Sequence, residues 1–303
     1  MLTHARPALE GGGFYLEKSY YRVEGQPPSE WYGTGAKTLG LEGAITDATF
    51  FDALLKGQLP NGTRLPNPPS GRERRRGDDW TFSPPKSISI VALVGKDKRV
   101  VVAHDRAVQE AVRYMELEMF GTRGMVNDRW AHVHGGAVVG IFRHERSRPV
   151  GGVVDPQLHT HTVWINASLR DDREWRAIDW RLYRGAKWKA DKVYLNELSS
   201  GLRNCGYELA PKGTAYEING IPPNVISAFS RRARHLDEEL STIGRTRRTA
   251  GRQARHIAIL LAREGKDGQT KEAQWEEWDE RARNMDVNWQ EIISSTDVAS
   301  RKS

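Results

Sequence analysis

Two long β-like runs, residues 130–144 and 158–169, limit the possible folds of this chain more than any other feature of its sequence. Both are rich in β-branched, aromatic and small apolar residues, as strands are. Residues 145–156 between them carry Gly and Pro, which favour a reversal of the chain. We therefore expect the two runs to pair as an antiparallel hairpin inside a larger sheet.

Helical and strand-like patterns surround this hairpin. Apolar residues at helical spacing predict helices over residues 99–120 and 185–206, the second of which ends at Gly206. Residues 87–94 alternate and then become wholly apolar, and this pattern predicts a strand. Residues 207–218 predict a short hairpin that turns at Lys212 and Gly213.

The chain is long enough, at 303 residues, for one large domain or two smaller ones. We expect an α+β core over residues 1–225 and a mostly helical, basic region over residues 226–303. No apolar run approaches the ~20 residues that span a bilayer. The first ten residues lack the apolar segment of a signal peptide, so we expect a cytoplasmic protein. Cys205 is the only cysteine, which excludes intramolecular disulfides and Cys-rich zinc sites.

The basic residues are clustered. The net charge is +7, and it favours an anionic partner. One cluster comprises Arg72, Arg74, Arg75 and Arg76, and a second comprises Arg231, Arg232, Arg234, Arg245, Arg247, Arg248, Arg252 and Arg255. Ten tryptophans accompany them. Aromatic rings and guanidinium groups together are typical of grooves that bind single-stranded nucleic acid, although solvated charged faces and core packing remain alternatives.

Three histidines form the candidate chemical centre. His159 and His161 alternate along one run, so both imidazoles lie on the same face of a strand. His144 ends the preceding run, and an antiparallel hairpin brings it close to this pair. Three imidazoles from two strands form a divalent-metal site with positions left open for substrate. A second pair, His132 and His134, lacks a third partner, and we interpret it as a strand-end or DNA-facing pair.

An aspartate and three tyrosines are further candidates. Asp79 follows a basic loop and precedes the predicted strand; it is a turn or cap residue, an acceptor that orients a metal-binding histidine, or a base for a hydroxyl nucleophile. Tyr15, Tyr20 and Tyr21 cluster near the N-terminus. A phenol has a pKa near 10, so a nearby cation or base is needed before it acts as a nucleophile. Packing is the alternative role for all three tyrosines.

Several strings occur in an order that resembles a known family. They are SEWYGTGAKTLGL at residues 29–41, DWTFSPPKS at 79–87, FRHERSR at 142–148 and DPQLHTH at 155–161, after the N-terminal tyrosines. This order resembles the relaxase domain of MobF-type conjugative relaxases, the TrwC/TraI group of the HUH endonuclease superfamily. The resemblance covers residues 14 to about 232. One departure concerns the nucleophile, because the family's first tyrosine pair corresponds here to Phe14 and Tyr15.

The resemblance implies a fold and a reaction. The fold is a central antiparallel β-sheet flanked by helices, with C-terminal helices that clasp DNA. A tyrosine, here Tyr15 or else Tyr20 or Tyr21, attacks single-stranded plasmid transfer-origin DNA to give a 5′-phosphotyrosyl intermediate, and the step reverses to reseal the strand. His144, His159 and His161 hold a divalent metal ion, either Mg, Mn or Zn, and Asp79 is the active-site aspartate. The expected DNA contacts are Lys86, Arg148, Arg231, Arg232, Arg245, Arg247 and Arg248.

The same resemblance implies partners. The substrate is a transfer-origin strand with a hairpin and a nick site, and accessory relaxosome proteins and a type IV secretion coupling protein are expected partners. A bacterial cytoplasmic protein that enters the recipient cell is expected, without membrane insertion. Family members often continue into a helicase, but no G-x-x-x-x-G-K-[ST] motif is present, so the chain resembles the relaxase portion alone.

Three other functions are compatible with parts of this pattern. A rolling-circle replication initiator shares the H-x-H pair and the tyrosine, but there the tyrosine typically follows the histidines. A three-histidine zinc hydrolase needs neither the tyrosines nor the basic region. A non-catalytic DNA-binding module uses the histidines only for packing, and it forms no covalent DNA adduct.

Overall fold

The computed structural model describes residues 2–5, 29–65 except 44 and 46, 74–181, 187–251 except 248, and 271–293 except 286, 288, 290 and 291. The strands are β1 (Leu2–Ala5), β2 (Glu30–Tyr32), β3 (Gly77–Phe82), β4 (Gly121–Val126), β5 (Arg129–His134), β6 (Gly136–Arg146), β7 (Pro156–Leu169), β8 (Trp175–Arg176), β9 (Leu209–Lys212) and β10 (Ala215–Ile218). The helices are α1 (Thr34–Thr38), α2 (Ala48–Leu55), α3 (Lys86–Leu93), α4 (Lys98–Glu118), α5 (Lys187–Asn204), α6 (Pro223–Ala228), α7 (Arg231–Thr242) and α8 (Lys271–Arg283).

The central sheet has six strands in the order β1-β3-β7-β6-β2, and β8 pairs with the far end of β7. The pairs β1–β3, β3–β7, β2–β6 and β7–β8 are antiparallel. The longest strand, β7, is buried along nearly its whole length, and its buried residues include polar ones such as His159, Thr160 and Asn166. The prediction of an antiparallel central sheet with flanking helices is confirmed.

The hairpin predicted between the two long β runs is present. Strands β6 and β7 are neighbours in the sheet, and the turn between them is closed by the Ser147 amide, which donates to the Asp155 carbonyl at 2.9 Å. The first run, however, is two strands. Gly135 lies between them. A side chain is excluded at this position, because a Cβ there would lie 2.3 Å from Ser168 Oγ. Strand β5 pairs with β4 as a separate two-stranded ribbon.

The strand predicted over residues 87–94 is wrong, because this segment is helix α3. Every residue from Ser87 to Leu93 is buried, so no polar face marks the helical period in the sequence. The first turn is held from elsewhere in the chain. Glu217 Oε2 on β10 accepts from the Ser87 amide at 3.0 Å and from its hydroxyl at 2.6 Å. Asp79 consequently does not precede a strand but lies within β3.

The other predicted elements agree with the structure. Helices α4 and α5 correspond to the two predicted helices, and Gly206 follows α5 with a φ of 87°. Strands β9 and β10 form the predicted short hairpin, and Gly213 turns it with a φ of 63°. The described residues after Pro222 are mostly helical. The boundary at residue 225 and the DNA-clasping role beyond it remain predictions.

The chain contacts define two compact units. The first consists of Met1–Ser83, Ala103–His144 and His159–Ser199, and the second of Pro84–Val102, Glu145–Leu158 and Ser200–Ser303. In the first, Phe51, Leu54, Phe142 and Ile165 belong to one buried cluster, in which the Phe51 and Phe142 rings meet edge to face at 5.4 Å. In the described residues, no helix combines the length and apolar character that membrane crossing requires.

The second unit has a buried charged centre at Asp155. Its carboxylate accepts from the Arg231 amide at 2.6 Å and from the Arg281 guanidinium at 3.0 Å. The Trp278 indole donates to the adjacent Val154 carbonyl at 2.8 Å. Helix α8 is thereby attached to the turn between β6 and β7, within this unit.

Glu116 near the end of α4 joins three elements of the first unit. Its Oε1 accepts from the Thr34 amide at 2.8 Å, the Thr34 hydroxyl at 2.7 Å and the Ala137 amide at 2.9 Å. The backbone approaches closely here, because a Cβ at Gly33 would lie 2.3 Å from the Ala137 carbonyl oxygen. The glycines of the SEWYGTGAKTLGL string therefore allow α1 to lie against the start of β6.

We predict that Glu116→Ala lowers the free energy of unfolding by about 2 kcal/mol, because it leaves the buried Ala137 amide without its acceptor and removes two hydrogen bonds from Thr34. Urea unfolding followed by circular dichroism measures the change. The control is Glu118→Ala on the same helix, where the side chain is exposed and a change within about 0.5 kcal/mol is expected. Equal losses in the two variants would contradict this account of Glu116.

Candidate metal centre

Three histidines converge on the central sheet, as the sequence predicts. His144 lies on β6, and His159 and His161 lie on β7. The ring centroids are 5.3 Å apart for His144 and His159, 5.0 Å for His144 and His161, and 5.1 Å for His159 and His161. All three side chains are buried, and each offers a nitrogen within 4.8 Å of the other two.

The strands themselves produce this convergence. Residues 159 and 161 share a face because the side chains of a strand alternate. His144 reaches the same place because the turn at residues 145–155 returns β7 alongside β6. The cluster therefore rests on backbone pairing between strands, which fixes the positions of its nitrogens.

Asp79 orients one of the three imidazoles. It lies on β3, which pairs with β7, and its carboxylate oxygens are 3.0 and 2.9 Å from His161 Nδ1. Thr81, directly opposite His161 in the register, places its hydroxyl 3.2 Å from the same nitrogen. A carboxylate only accepts hydrogen bonds, so Nδ1 carries the proton and Nε2 is the basic nitrogen. This is the usual carboxylate–histidine arrangement behind a metal ligand.

The residues present fit a divalent transition ion. Nitrogens that bind one ion at about 2.1 Å in tetrahedral geometry lie ~3.4 Å apart, so the observed limit of 4.8 Å requires only small rotations of the rings. Three neutral imidazoles suit such ions. A site with three protein ligands leaves at least one position for substrate, which is the donor set of a catalytic site.

The opposite face of β7 carries a second buried polar group. Thr160, between the two histidines, places its hydroxyl 2.8 Å from His104 Nε2, and His104 Nδ1 is 2.9 Å from the Tyr194 hydroxyl. All three side chains are fully buried or nearly so. Burial, together with Arg143 and His159, lowers the pKa of His104 well below its usual value, so the ring is neutral. These contacts hold β7 in place on the face opposite the histidine cluster.

The structure brings only part of the predicted site together. His144, His159, His161 and Asp79 lie together, whereas Tyr15, Tyr20, Tyr21 and Arg248 fall outside the described residues. Sequence reasoning missed Thr81 and His104. The alternation of β3 could have indicated Thr81, two residues after Asp79, but the contact between His104 and Thr160 joins positions too distant in sequence for local spacing to reveal.

The predicted DNA-binding residues differ in their exposure and in their hydrogen-bond partners. Lys86 donates to the Pro156 carbonyl at 2.9 Å, and burial lowers the pKa of its amine to about 8. Arg247 forms two hydrogen bonds of 2.6 and 2.7 Å with Asp237. Arg245 is exposed, whereas Arg148, Arg231 and Arg232 are half-buried. Their roles in DNA binding remain predictions.

Comparison with known proteins agrees with this geometry. The sequence model of the TrwC relaxase family matches residues 6–285. The chain belongs to the TrwC relaxase family.

Relatives and solved structures extend this assignment. The chain is 33% identical over 291 residues to the multifunctional conjugation protein TraI of Escherichia coli strain K12, a match that covers 91% of this chain but only 16% of TraI. A metal-bound structure of the conjugative relaxase TrwC in complex with oriT DNA superposes with a TM-score of 0.86 at 31% identity, covering 95% of this chain and 100% of the solved TrwC chain. A copper-bound TrwC–oriT complex superposes with a TM-score of 0.85 at 32% identity and the same coverage.

We predict that Asp79→Asn weakens divalent-metal binding by about 10- to 100-fold, because the carboxylate behind His161 sets its tautomer and basicity. Competition with a chromophoric chelator measures the affinity for Zn²⁺ and Mn²⁺. The control is Asp171→Asn at an exposed position, for which the affinity should not change. Equal affinities of the wild type and Asp79→Asn would show that Asp79 does not support the metal site.

Proposed function

We propose that this TrwC-family domain nicks one strand of plasmid transfer-origin DNA through a tyrosine and reseals it, so that it initiates conjugative transfer. The observation that carries the proposal is the three-histidine cluster with Asp79 behind His161. The superposition on TrwC bound to oriT DNA supports it. The chain spans only 16% of the length of TraI. The nicking activity of this domain is therefore proposed, and so is its role in conjugative transfer.

The proposed reaction is a reversible transesterification. A tyrosine phenolic oxygen attacks the scissile phosphorus, and the bond from phosphorus to the 3′ oxygen breaks. The phenol loses one proton and the leaving 3′ oxygen gains one, so the 5′ phosphate is held as a phosphotyrosine. Attack by a 3′-hydroxyl regenerates the phosphodiester, because one phosphoester replaces another in each direction.

The cluster residues position this step. His144, His159 and His161 would hold a divalent ion, which when bound polarises the scissile phosphate. Asp79 and Thr81 keep the His161 Nδ1 proton turned away from the ligand nitrogen, and Thr160 with His104 fixes the strand. Among Mg, Mn and Zn, we propose Zn first, since imidazole nitrogens suit Zn, whereas oxygen ligands suit Mg and Mn.

The nucleophile is proposed among the N-terminal tyrosines. We place Tyr15 first, because Phe14 and Tyr15 correspond to the leading tyrosine pair of the family, and Tyr20 and Tyr21 second. The clustered arginines, with Lys86 and Arg148, contribute DNA contacts in this proposal, and residues 226–303 clasp the strand. Accessory relaxosome proteins, a type IV secretion coupling protein and the bacterial cytoplasm complete the proposed setting.

We predict that Tyr15→Phe abolishes the covalent protein–DNA adduct, because the variant has no hydroxyl at this position to attack the phosphorus. The assay uses labelled single-stranded oligonucleotides that tile the transfer origin of the host plasmid, with Mn²⁺ or Zn²⁺ and with EDTA, and denaturing gels separate the adduct. Tyr20→Phe/Tyr21→Phe separates the second pair from the first, and Tyr114→Phe on α4 is the matched control, in which the adduct should form normally.

The outcomes separate the competing functions. An adduct that is absent in Tyr15→Phe but present in the double variant assigns the first cut to Tyr15, and the reverse result assigns it to Tyr20 or Tyr21. Metal-dependent hydrolysis that survives the removal of all three hydroxyls would point to a zinc hydrolase. The proposal fails if no oligonucleotide and no metal ever yields an EDTA-sensitive adduct.

We predict that Arg232→Ala and Arg245→Ala each reduce the salt dependence of single-stranded DNA binding, lowering the slope of log K against log salt by about 0.7 for each phosphate that the arginine would otherwise neutralise. Fluorescence anisotropy at several salt concentrations measures the slope. Arg113→Ala on α4, exposed and paired with Glu110 at 2.9 Å, should leave the slope unchanged. An unchanged slope in all three variants would show that these arginines do not contact the DNA.

A further inference from the structure

A second histidine pair lies on the ribbon formed by β4 and β5. His132 and His134 share one face of β5, and the antiparallel register places Arg123 opposite His132 and Gly121 opposite His134. The ribbon forms its own two-stranded sheet, apart from the central one. The proposed relaxase reaction assigns no role to these histidines.

The geometry of this pair resembles that of the catalytic cluster. The His132 and His134 ring centroids are 4.9 Å apart, compared with 5.0–5.3 Å among His144, His159 and His161. Both ring nitrogens of His132 are buried, and neither makes a hydrogen bond to a described residue. The side chain as a whole is partly buried, and covered nitrogens without hydrogen bonds cost free energy, so a metal ion bound to one of them would supply a missing partner.

Gly121 provides the space that the His132 ring occupies. A Cβ at this position would lie 2.4 Å from His132 Cε1 and 2.8 Å from Nε2, distances that no side chain tolerates. The imidazole therefore lies directly over the backbone of β4. The position opposite His134 is thus left without a side chain that could separate the two rings.

The surroundings of the pair favour a neutral imidazole, which is the form that binds a metal ion. Burial lowers the pKa of His132, and His134 lowers it further, whereas Asp179 opposes them. The Asp179 amide donates to the Gly121 carbonyl at 3.0 Å, which attaches residue 179 to the ribbon, and its carboxylate accepts from Arg181 at 2.8 and 2.7 Å. The Arg123 guanidinium lies over the Trp130 ring, 5.0 Å from its centroid, so an aromatic face accommodates the nearest cation of β4.

We propose that His132 and His134 form a second metal site, which binds a first-row divalent transition ion such as Zn²⁺ or Ni²⁺ independently of the catalytic cluster. Imidazole is a preferred ligand of these ions, and alternate positions on a strand present two imidazoles to one ion. A lone two-stranded ribbon is marginally stable in water, and an ion held by two side chains of β5 stabilises the ordered state by mass action.

The test is metal stoichiometry in the full chain. Equilibrium dialysis with Zn²⁺, and separately with Ni²⁺, is followed by elemental analysis of four proteins: the wild type, His134→Gln, His159→Ala/His161→Ala, and the combination of all three changes. His134 is exposed, so its replacement should leave the fold intact, which circular dichroism checks. His235→Gln on α7 is the matched control for a surface histidine.

The expected result is two bound ions in the wild type, one in His134→Gln, one in the cluster variant and none in the combination. Affinity at the ribbon should fall more than about 100-fold in His134→Gln, since even residues behind a ligand contribute 10- to 100-fold. One ion in the wild type, unchanged in His134→Gln, would overturn the proposal. This measurement does not depend on DNA nicking, so it separates the ribbon site from the proposed function.

Discussion

The pairing of β7 with β6 on one side and with β3 on the other is the constraint on which the rest of the site depends. It brings a histidine from β6 and two from β7 within reach of one ion, and it places Asp79 of β3 against His161. Backbone hydrogen bonds set these positions before any metal arrives. The conformational entropy of the ligand side chains is therefore lost when the chain folds, and metal binding does not lose it a second time.

Two buried polar side chains beside this sheet, His104 and Glu116, have defined hydrogen-bond partners. His104 lies between Thr160 and Tyr194, and Glu116 receives three donors from Thr34 and Ala137. Satisfied networks of this kind rigidify a core, whereas the same groups without partners would destabilise it. The face of β7 opposite the histidine cluster therefore carries a satisfied polar contact at Thr160, which holds this part of the strand in place.

The two H-x-H pairs of this chain show how neighbours decide the character of a site. Both present two imidazoles on one face of a strand with nearly equal ring separations. The pair on β7 gains His144 and Asp79 because strands flank it on both sides. The pair on β5 has a strand on one side only, where Gly121 leaves space in place of a third ligand. A catalytic donor set arises in the first environment and a two-ligand site in the second.

The sequence by itself determined the elements whose periodicity is local: the hairpin of β6 and β7, helices α4 and α5, and the shared face of His159 and His161. Only the tertiary structure decided which distant residues meet them. It made residues 86–93 a helix, because complete burial removes the polar face that reveals a helical period. It also placed Asp79 within β3, where its carboxylate reaches His161. Spacing along the chain predicts which side chains share one face of a strand. Pairing between strands that are far apart in sequence determines which other residues contact that face.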